Sequence, residues 1–430
     1  LELPSAQVKS GIIFAALNTS GLTKIIEKNI TRNHTEIMLE NIGHNIIIQD
    51  NRISFNPSNR QIENIHIDIP GDISSASFFI GAACMIPNSD IRIKKISRPL
   101  IKEKEILVKM QACGICGTDL HWSQGNDPSA GWRHLTSGSV MGHEFSGEII
   151  ELGKNARSQF RVGERIVAQP FIGCGSCSAC RAGRSYRCST VVTRASPELT
   201  GAYAEYTRVG VAETLRLPDN VSFHAGALVE PLAVGLNAVK RAGLQAGDSV
   251  LVIGAGPVGL SVALWCCFFG ARDVIVSDLI EARAVRCVEF GATAAVDAAN
   301  EDVQARFRQI TGRPPAVVFD CVGVPGSLQL SIDQAPADAH LVVVGLCMAQ
   351  DAFFPAKAIV KELHITFAFV YSKADFQFVI DMLGSERIPV DALVTSVVGL
   401  ADFPSKFEAM RTPGVDLKVM LEPDSGINSL

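Results

Sequence analysis

Two groups of side chains in this sequence are of metal-holding types, and their spacings differ in kind. Cys174, Cys177, Cys180 and Cys188 follow C-x2-C-x2-C-x7-C inside the turn-rich stretch GCGSCSACRAGRSYRC. Glycines and small residues between the thiols let the backbone curl around one point, so four thiolates converge as in a closed tetrahedral zinc site. Such a site has no open position; it fastens a loop and does no chemistry. The second group is scattered: Cys116 in GICGTDLH, His143 and Glu144 in MGHEF, and Glu230 in VEPLAVG. A thiolate, an imidazole and a carboxylate from separate loops are the mixed set that a catalytic zinc takes when it keeps a position open for water or substrate.

A third constellation is built for phosphate. SVLVIGAGPVGLSVAL reads as a buried apolar strand, then Gly254, Gly256 and Gly259 in G-x-G-x-x-G order, then a helix. The first glycine permits the tight turn, the second lets the backbone approach a pyrophosphate, and the third brings helix against strand. The helix N-terminus adds donors and a positive dipole end. VIVSDL follows, with Asp278 ending the next strand at the spacing the motif expects. A carboxylate there accepts the adenosine ribose hydroxyls and repels a 2′-phosphate, so NAD is expected rather than NADP. Arg283 tempers that expectation by its nearness in sequence, although its place on the following helix predicts a solvent-facing side chain. AVVFDCVG and HLVVVGL read as further buried parallel strands, with Gly323 and Gly345 at their carboxyl ends, where the nicotinamide half should lie.

The elements that position these groups are bounded by bulk properties. A chain of 430 residues implies two or three domains. A net charge of −5, with 47% apolar residues and no basic runs, excludes nucleic acid and anionic membrane surfaces as partners. Val250–Ala271 is long and uncharged enough to imitate a membrane span, but its glycines belong to the phosphate loop. The sequence shows no leader of the secretory kind, and closely spaced thiols suit a reducing, cytoplasmic setting, where they bind metal more often than they form disulfides.

Composition changes near Ser97, from Ile- and Asn-rich to Ala-, Gly-, Val- and Arg-rich, which marks a boundary. Ahead of it the pattern predicts a helix over SAQVKSGIIFAALN, a strand over TKIIEKN, a helix opening at Thr31, a hairpin over HNIIIQDNRISFNP and a helix over DISSASFFIGAACM. Alternating strands and helices give an α/β class. Beyond it, EILVKMQACG reads as an alternating strand, and the tail from Phe367 carries helix patterns and one short strand.

Taken with the four-cysteine lobe, GICGTD, GHE and EPLAVG resemble the zinc-dependent medium-chain alcohol dehydrogenases. The resemblance implies a GroES-like β-barrel catalytic domain over 97–231, to which 367–430 returns, and a Rossmann doubly wound domain over 232–366. It makes Cys116 and His143 two ligands of a catalytic zinc and leaves Glu144 and Glu230 both open as the third. Asp119 would orient the ligand imidazole, Thr118 would take the substrate proton, and His121 would pass it outward past the cofactor ribose. Cys113 receives a packing role. The expected reaction is reversible hydride transfer between a secondary alcohol and NAD. EPLAVG is similar to the polyol, sorbitol and butanediol branches, which makes a diol or polyol the expected substrate. A homodimer or homotetramer joined through the cofactor domain is also implied.

PSAQVKS, TRNHTE and IPGDISSASFF resemble an internal part of enolpyruvylshikimate phosphate synthase and cover residues 1–96. That resemblance makes Ser5, Gln7 and Arg32 binders of a shikimate phosphate. Because that site needs groups from two lobes, the fragment alone should not turn over substrate. The whole chain then reads as a chimera, with a transferase remnant or an inactive chimera as alternative readings. Some two dozen dehydrogenase residues are expected to be absent ahead of EILVKM, with IRIKKIS as the candidate substitute strand.

Overall fold

The structure is a computed structural model, and it describes residues 6–17, 21–28, 31, 33–41, 46–49, 51–55, 98–124, 139–194 and 198–423. The chain divides into two compact units, Leu1–Ile96 and Ser97–Leu430.

In the first unit a helix, Ala6–Ala16, leads into β1 (Thr23–Ile26), a second helix, His34–Asn41, and the hairpin β2 (Ile46–Gln49) and β3 (Arg52–Phe55). The three strands form an antiparallel sheet in the order β1-β3-β2. Ile13, Ile25, Leu39, Ile53 and Phe55 make its core. The second helix starts at His34, not at Thr31. There the Thr31 hydroxyl donates to Glu27 Oε1 at 2.5 Å and its N–H to the same oxygen at 3.2 Å, local bonds that hold the chain out of the helix. Buried Lys9 is compensated by Glu36 at 2.8 Å and Glu27 at 3.3 Å. Ser5, Arg32, DISSASFFIGAACM and IRIKKIS lie outside the described residues, as does the side chain of Gln7.

The second unit opens with β4 (Glu105–Gly114), β5 (Glu144–Leu152), β6 (Arg165–Ala168), β7 (Phe171–Ile172), β8 (Val192–Thr193), β9 (Tyr206–Gly210) and β10 (Thr214–Arg216). A parallel series follows: β11 (Ser249–Ile253), β12 (Asp273–Asp278), β13 (Ala294–Asp297), β14 (Val317–Asp320), β15 (His340–Val343) and β16 (His364–Phe367). The chain ends with β17 (Val394–Val398) and β18 (Lys418–Leu421). The first sheet runs β10-β6-β5-β4-β18-β17, with β9 also on β4. β4 therefore pairs with β5, β9 and β18, and nearly all of its side chains are buried instead of alternating as its sequence suggested. The tail contributes two strands where one was expected.

The parallel strands stand in the order β13-β12-β11-β14-β15-β16, with a reversal of direction in strand order between β11 and β14. Ligands of such sheets bind beyond the carboxyl ends at that switch point. The membrane-like run resolves into β11, the glycine turn and the helix Pro257–Phe268. Among the described residues no helix is long and apolar enough to cross a membrane. Trp265 of that helix is fully buried and donates its indole N–H to Leu232 O at 2.8 Å, which ties it to the helix Val229–Ala242.

Candidate active site

At the end of β4 the chain turns through Cys116 into the short helix Gly117–Gln124, and His143 and Glu144 sit where β5 begins. Because β4 and β5 pair in antiparallel register with Gly114 opposite Glu144, the two segments meet at one place. One ligand atom each from Cys116, His143 and Glu144 lies within 4.8 Å of the others. Behind them Asp119 is fully buried. Its Oδ1 stands 3.1 Å from His143 Nδ1 and its Oδ2 accepts the Tyr203 hydroxyl at 2.6 Å. With Nδ1 held, Nε2 is the imidazole nitrogen left for a metal. Burial opposes charge on His143, yet the Asp119 carboxylate and Cys116 hold its pKa well above the usual value. Burial also works against ionised Asp119, and the neighbouring imidazole more than compensates, so its pKa is lowered.

Glu144 is fastened from the far end of the chain: Lys418 Nζ of β18 donates to both carboxylate oxygens at 2.7 Å and to Ile115 O at 3.0 Å. Both side chains are buried. A Cβ on Gly114 would stand 2.3 Å from Glu144 Oε2, so a larger residue there would push the carboxylate from its place against Lys418. Glu230 lies outside the compact trio, in the first turn of the helix Val229–Ala242, and its Oε1 accepts the Tyr371 hydroxyl at 2.7 Å. Burial pushes its pKa up to about 7; the charges of His143, Glu144 and Lys418 all reach it. Thr118 and His121 are both half-buried on the helix Gly117–Gln124. Three residues apart, they lie on one face of it. Burial lowers the His121 pKa. Cys113 is fully buried and its thiol pKa is raised by that burial.

The other thiol group is equally compact: Sγ atoms of Cys174, Cys177, Cys180 and Cys188 lie within 4.8 Å of one another. Backbone N–H groups aim at the sulfurs, from Cys177 to Cys174 at 3.3 Å, from Cys174 to Cys188 at 3.4 Å and from Cys180 to Cys177 at 3.5 Å. The Ser176 hydroxyl and N–H bring the Cys174 pKa down to about 5, as a thiolate ligand requires. The lobe is bound to the tail through Lys373 N–H and Gly183 O at 2.9 Å.

In the glycine turn, Gly254 has φ 99°, a left-handed conformation that glycine favours. A Cβ on Gly259 would stand 1.8 Å from Gly254 O, whereas one on Gly256 would meet nothing within 4 Å. The open cradle is thus at Gly256, where the helix Pro257–Phe268 presents its N-terminus. Asp278 ends β12 and accepts the N–H of Ala255 at 2.7 Å and of Ile280 at 2.8 Å, so it braces the turn. Arg283 departs from its expected orientation. It is half-buried and donates to Asp416 O at 3.1 Å, because the tail crosses beside its helix. Sequence reasoning missed Tyr203, Tyr371 and Lys418, whose partners lie 84 or more residues away.

Comparison with known proteins matches the geometry. The sequence model of the alcohol dehydrogenase GroES-like domain matches residues 102–219, and that of the zinc-binding dehydrogenases matches residues 257–385. The model of EPSP synthase (3-phosphoshikimate 1-carboxyvinyltransferase) matches residues 1–135, running past the boundary at Ser97 into β4. Sorbitol dehydrogenase of Bacillus subtilis (strain 168) is 32% identical over 346 residues, 80% of this chain and 97% of that protein. Among solved structures, 2R,3R-butanediol dehydrogenase from Bacillus subtilis superposes with a TM-score of 0.67 at 30% identity, covering 78% of this chain and 97% of the other. A zinc-binding dehydrogenase from Sinorhizobium meliloti 1021 bound to NADP gives 0.67 at 28% identity, over 78% and 96% of the two chains. A short chain alcohol dehydrogenase from E. coli CFT073 complexed with NADH gives 0.68 at 26%, over 77% and 96%. The fold, the two clusters of metal-ligating side chains and these relatives agree: the chain belongs to the zinc-binding alcohol dehydrogenase family that includes the sorbitol dehydrogenases.

Proposed function

We propose that the chain is a zinc- and NAD-dependent oxidoreductase that moves a hydride between a secondary alcohol, of the diol or polyol class, and the nicotinamide. The observation that carries this reading is the convergence of Cys116, His143 and Glu144 with Asp119 behind the imidazole, a mixed donor set of the kind that leaves a zinc position open. Zinc held there supplies Lewis acidity that makes an alcohol hydroxyl easier to ionise. Cys116 Sγ and His143 Nε2 would be two of its ligands. Glu144 is the nearer carboxylate for the third, and Glu230 stands in reserve. Asp119 holds the ligand imidazole in one tautomer. Thr118 receives the hydroxyl proton and His121, kept neutral by burial, carries it outward. The four thiols of 174–188 would hold a second, structural zinc whose donors are already arranged.

For the cofactor, the cradle at Gly256 takes the pyrophosphate, and the Asp278 carboxylate takes the adenosine ribose hydroxyls and disfavours a 2′-phosphate. Family relatives of the sorbitol and butanediol type support the polyol assignment. Phe367 in the edge strand β16 and Phe354, Ile359 and Val360 in the segment leading to it are exposed, which supports pairing of cofactor domains in a dimer or tetramer. The eleven described cysteines are free thiols, in keeping with a cytoplasmic setting. Enolpyruvyl transfer has support only from the match over residues 1–135. The test is absorbance at 340 nm on mixing the full chain with NAD and a panel of diols and polyols. Reduction that a chelator abolishes is expected; a panel without turnover overturns the assignment.

A further inference from the structure

Val370 has φ 56°, a left-handed conformation that is an outlier for a β-branched residue. Strain of this kind persists only where the surroundings hold it, and it clusters at functional sites. Here the hold is visible on both sides. Asn237 Nδ2 donates to Val370 O at 2.7 Å. Beyond Tyr371, Ser372 and Asp375 close a capping box, and Lys240 Nζ pairs with Asp375 Oδ1 at 2.6 Å. Asn237 and Lys240 belong to the helix Val229–Ala242, which also carries Glu230. Seven residues separate Glu230 from Asn237, about two helical turns, so both lie on one face.

Tyr371 stands between the two holds. It is 1% exposed, its ring lies 4.8 Å from that of Phe376, and its hydroxyl donates to Glu230 Oε1 at 2.7 Å. The helix, Asn237, the strained Val370, Tyr371 and Glu230 therefore form a closed mechanical loop around one carboxylate. A buried carboxylate needs some hydrogen-bond partner in any case. It does not need one delivered on a strained, β-branched backbone that is bolted to its own helix.

We propose that Tyr371 is a positioning residue of the metal centre: its hydroxyl fixes Oε1 of Glu230, so that the other oxygen is the one presented to the metal and its open position, and Val370 sets where that hydroxyl stands. The inference rests on the reading of Cys116, His143 and Glu144 as the metal centre. Glu230 then acts from a fixed place beside that trio, and Tyr371 acts only through it.

The experiment uses the full chain loaded with cobalt(II) in place of zinc and compares wild type, Tyr371→Phe, Glu230→Gln and the double variant. Readouts are kcat, KM for the best diol or polyol, and the visible d–d bands that report ligand geometry. Tyr371→Phe keeps the ring on Phe376, so metal content is expected to stay close to wild type, while melting drops by a few degrees because buried Glu230 loses a hydrogen bond. Its kcat should fall about tenfold, as for loss of a partner that orients a metal ligand. The cobalt bands should shift, and in the Glu230→Gln background the same change should alter kcat less than twofold, because the two residues act as one unit. Wild-type kcat, KM and bands in Tyr371→Phe overturn the proposal, as do losses that simply multiply in the double variant. Should Tyr371→Phe fail to fold, Val370→Gly leaves the ring in place and frees the backbone; lowered kcat is expected and unchanged kcat with unchanged bands refutes the proposal. Absence of cobalt bands from the open site in the wild type overturns the metal-centre reading and this inference together.

Discussion

Two glycines three residues apart in the phosphate turn should respond to the same substitution in opposite ways. Gly256 has φ −71° and ψ 176°, a conformation that alanine adopts freely, and a Cβ there meets no atom within 4 Å. Gly256→Ala should therefore leave the fold intact and, by restricting the unfolded chain, stabilise the cofactor-free protein by about 0.4–1 kcal/mol. Gly259→Ala places its methyl 1.8 Å from Gly254 O, which is backbone and cannot rotate away. The helix must lift from the turn, at about 1–3 kcal/mol or more. At about 2–4 °C per kcal/mol for a domain of this size, the two melting points should move apart, Gly256→Ala upward by a few degrees and Gly259→Ala downward. Affinity should move differently. The Gly256 methyl occupies the space that the pyrophosphate needs, so NADH should bind at least about tenfold more weakly, about 1.4 kcal/mol. Thermal melts of cofactor-free protein and NADH fluorescence titrations measure both. Wild-type NADH affinity in a folded Gly256→Ala refutes the placement of the cradle, and a melting loss matching that of Gly259→Ala refutes the steric argument.

Other outcomes follow from particular contacts. Lys418→Met strands the buried Glu144 carboxylate and should cost about 3–5 kcal/mol in chemical denaturation, most of it recovered by adding Glu144→Gln; a loss under about 1 kcal/mol would show that the pair carries little. Asp119→Asn should weaken retention of the open-site zinc about 10–100-fold under chelator competition, and unchanged retention would remove Asp119 from its orienting role. Burial raises the Asp320 pKa above its ordinary 3.8, so the folded state keeps this proton to higher pH than the unfolded chain does. Stability from that protonated group is complete below 3.8 and declines as pH rises through the folded value. Asp320→Asn escapes the decline, so its stability relative to wild type should grow as pH rises from about 4 towards neutrality; a gap independent of pH would contradict the assignment.

How much of this was legible in the sequence varied with the kind of constraint. The four-thiol lobe and the glycine turn were readable because a closed metal site and a tight strand-to-helix turn impose residue types at short, fixed spacings. The meeting of Cys116 with His143 and Glu144 was suggested by donor chemistry, while the β4–β5 register that causes it appears only in the fold. Lys418 reaches Glu144 across 274 residues and Tyr371 reaches Glu230 across 141, and no local pattern marks either side chain. β4 looked half-exposed from its alternation because what covers its two faces is remote in sequence: Ala112 belongs to one cluster with Leu217, Val221 and Ala225, and Ile106, Val108 and Met110 to another with Phe145, Ile166 and Val209. Arg283 looked solvent-facing for the same reason, since Asp416 is remote in sequence.

The central claim is that a second, open zinc site stands beside the closed cysteine lobe. Elemental analysis of the purified, chelator-washed full chain tests it most directly. About two zinc ions per chain are expected, one for the thiols of 174–188 and one for Cys116, His143 and a carboxylate. About one per chain, lost on changing Cys174 and untouched by changing Cys116, would mean that only the lobe binds metal and would contradict the account.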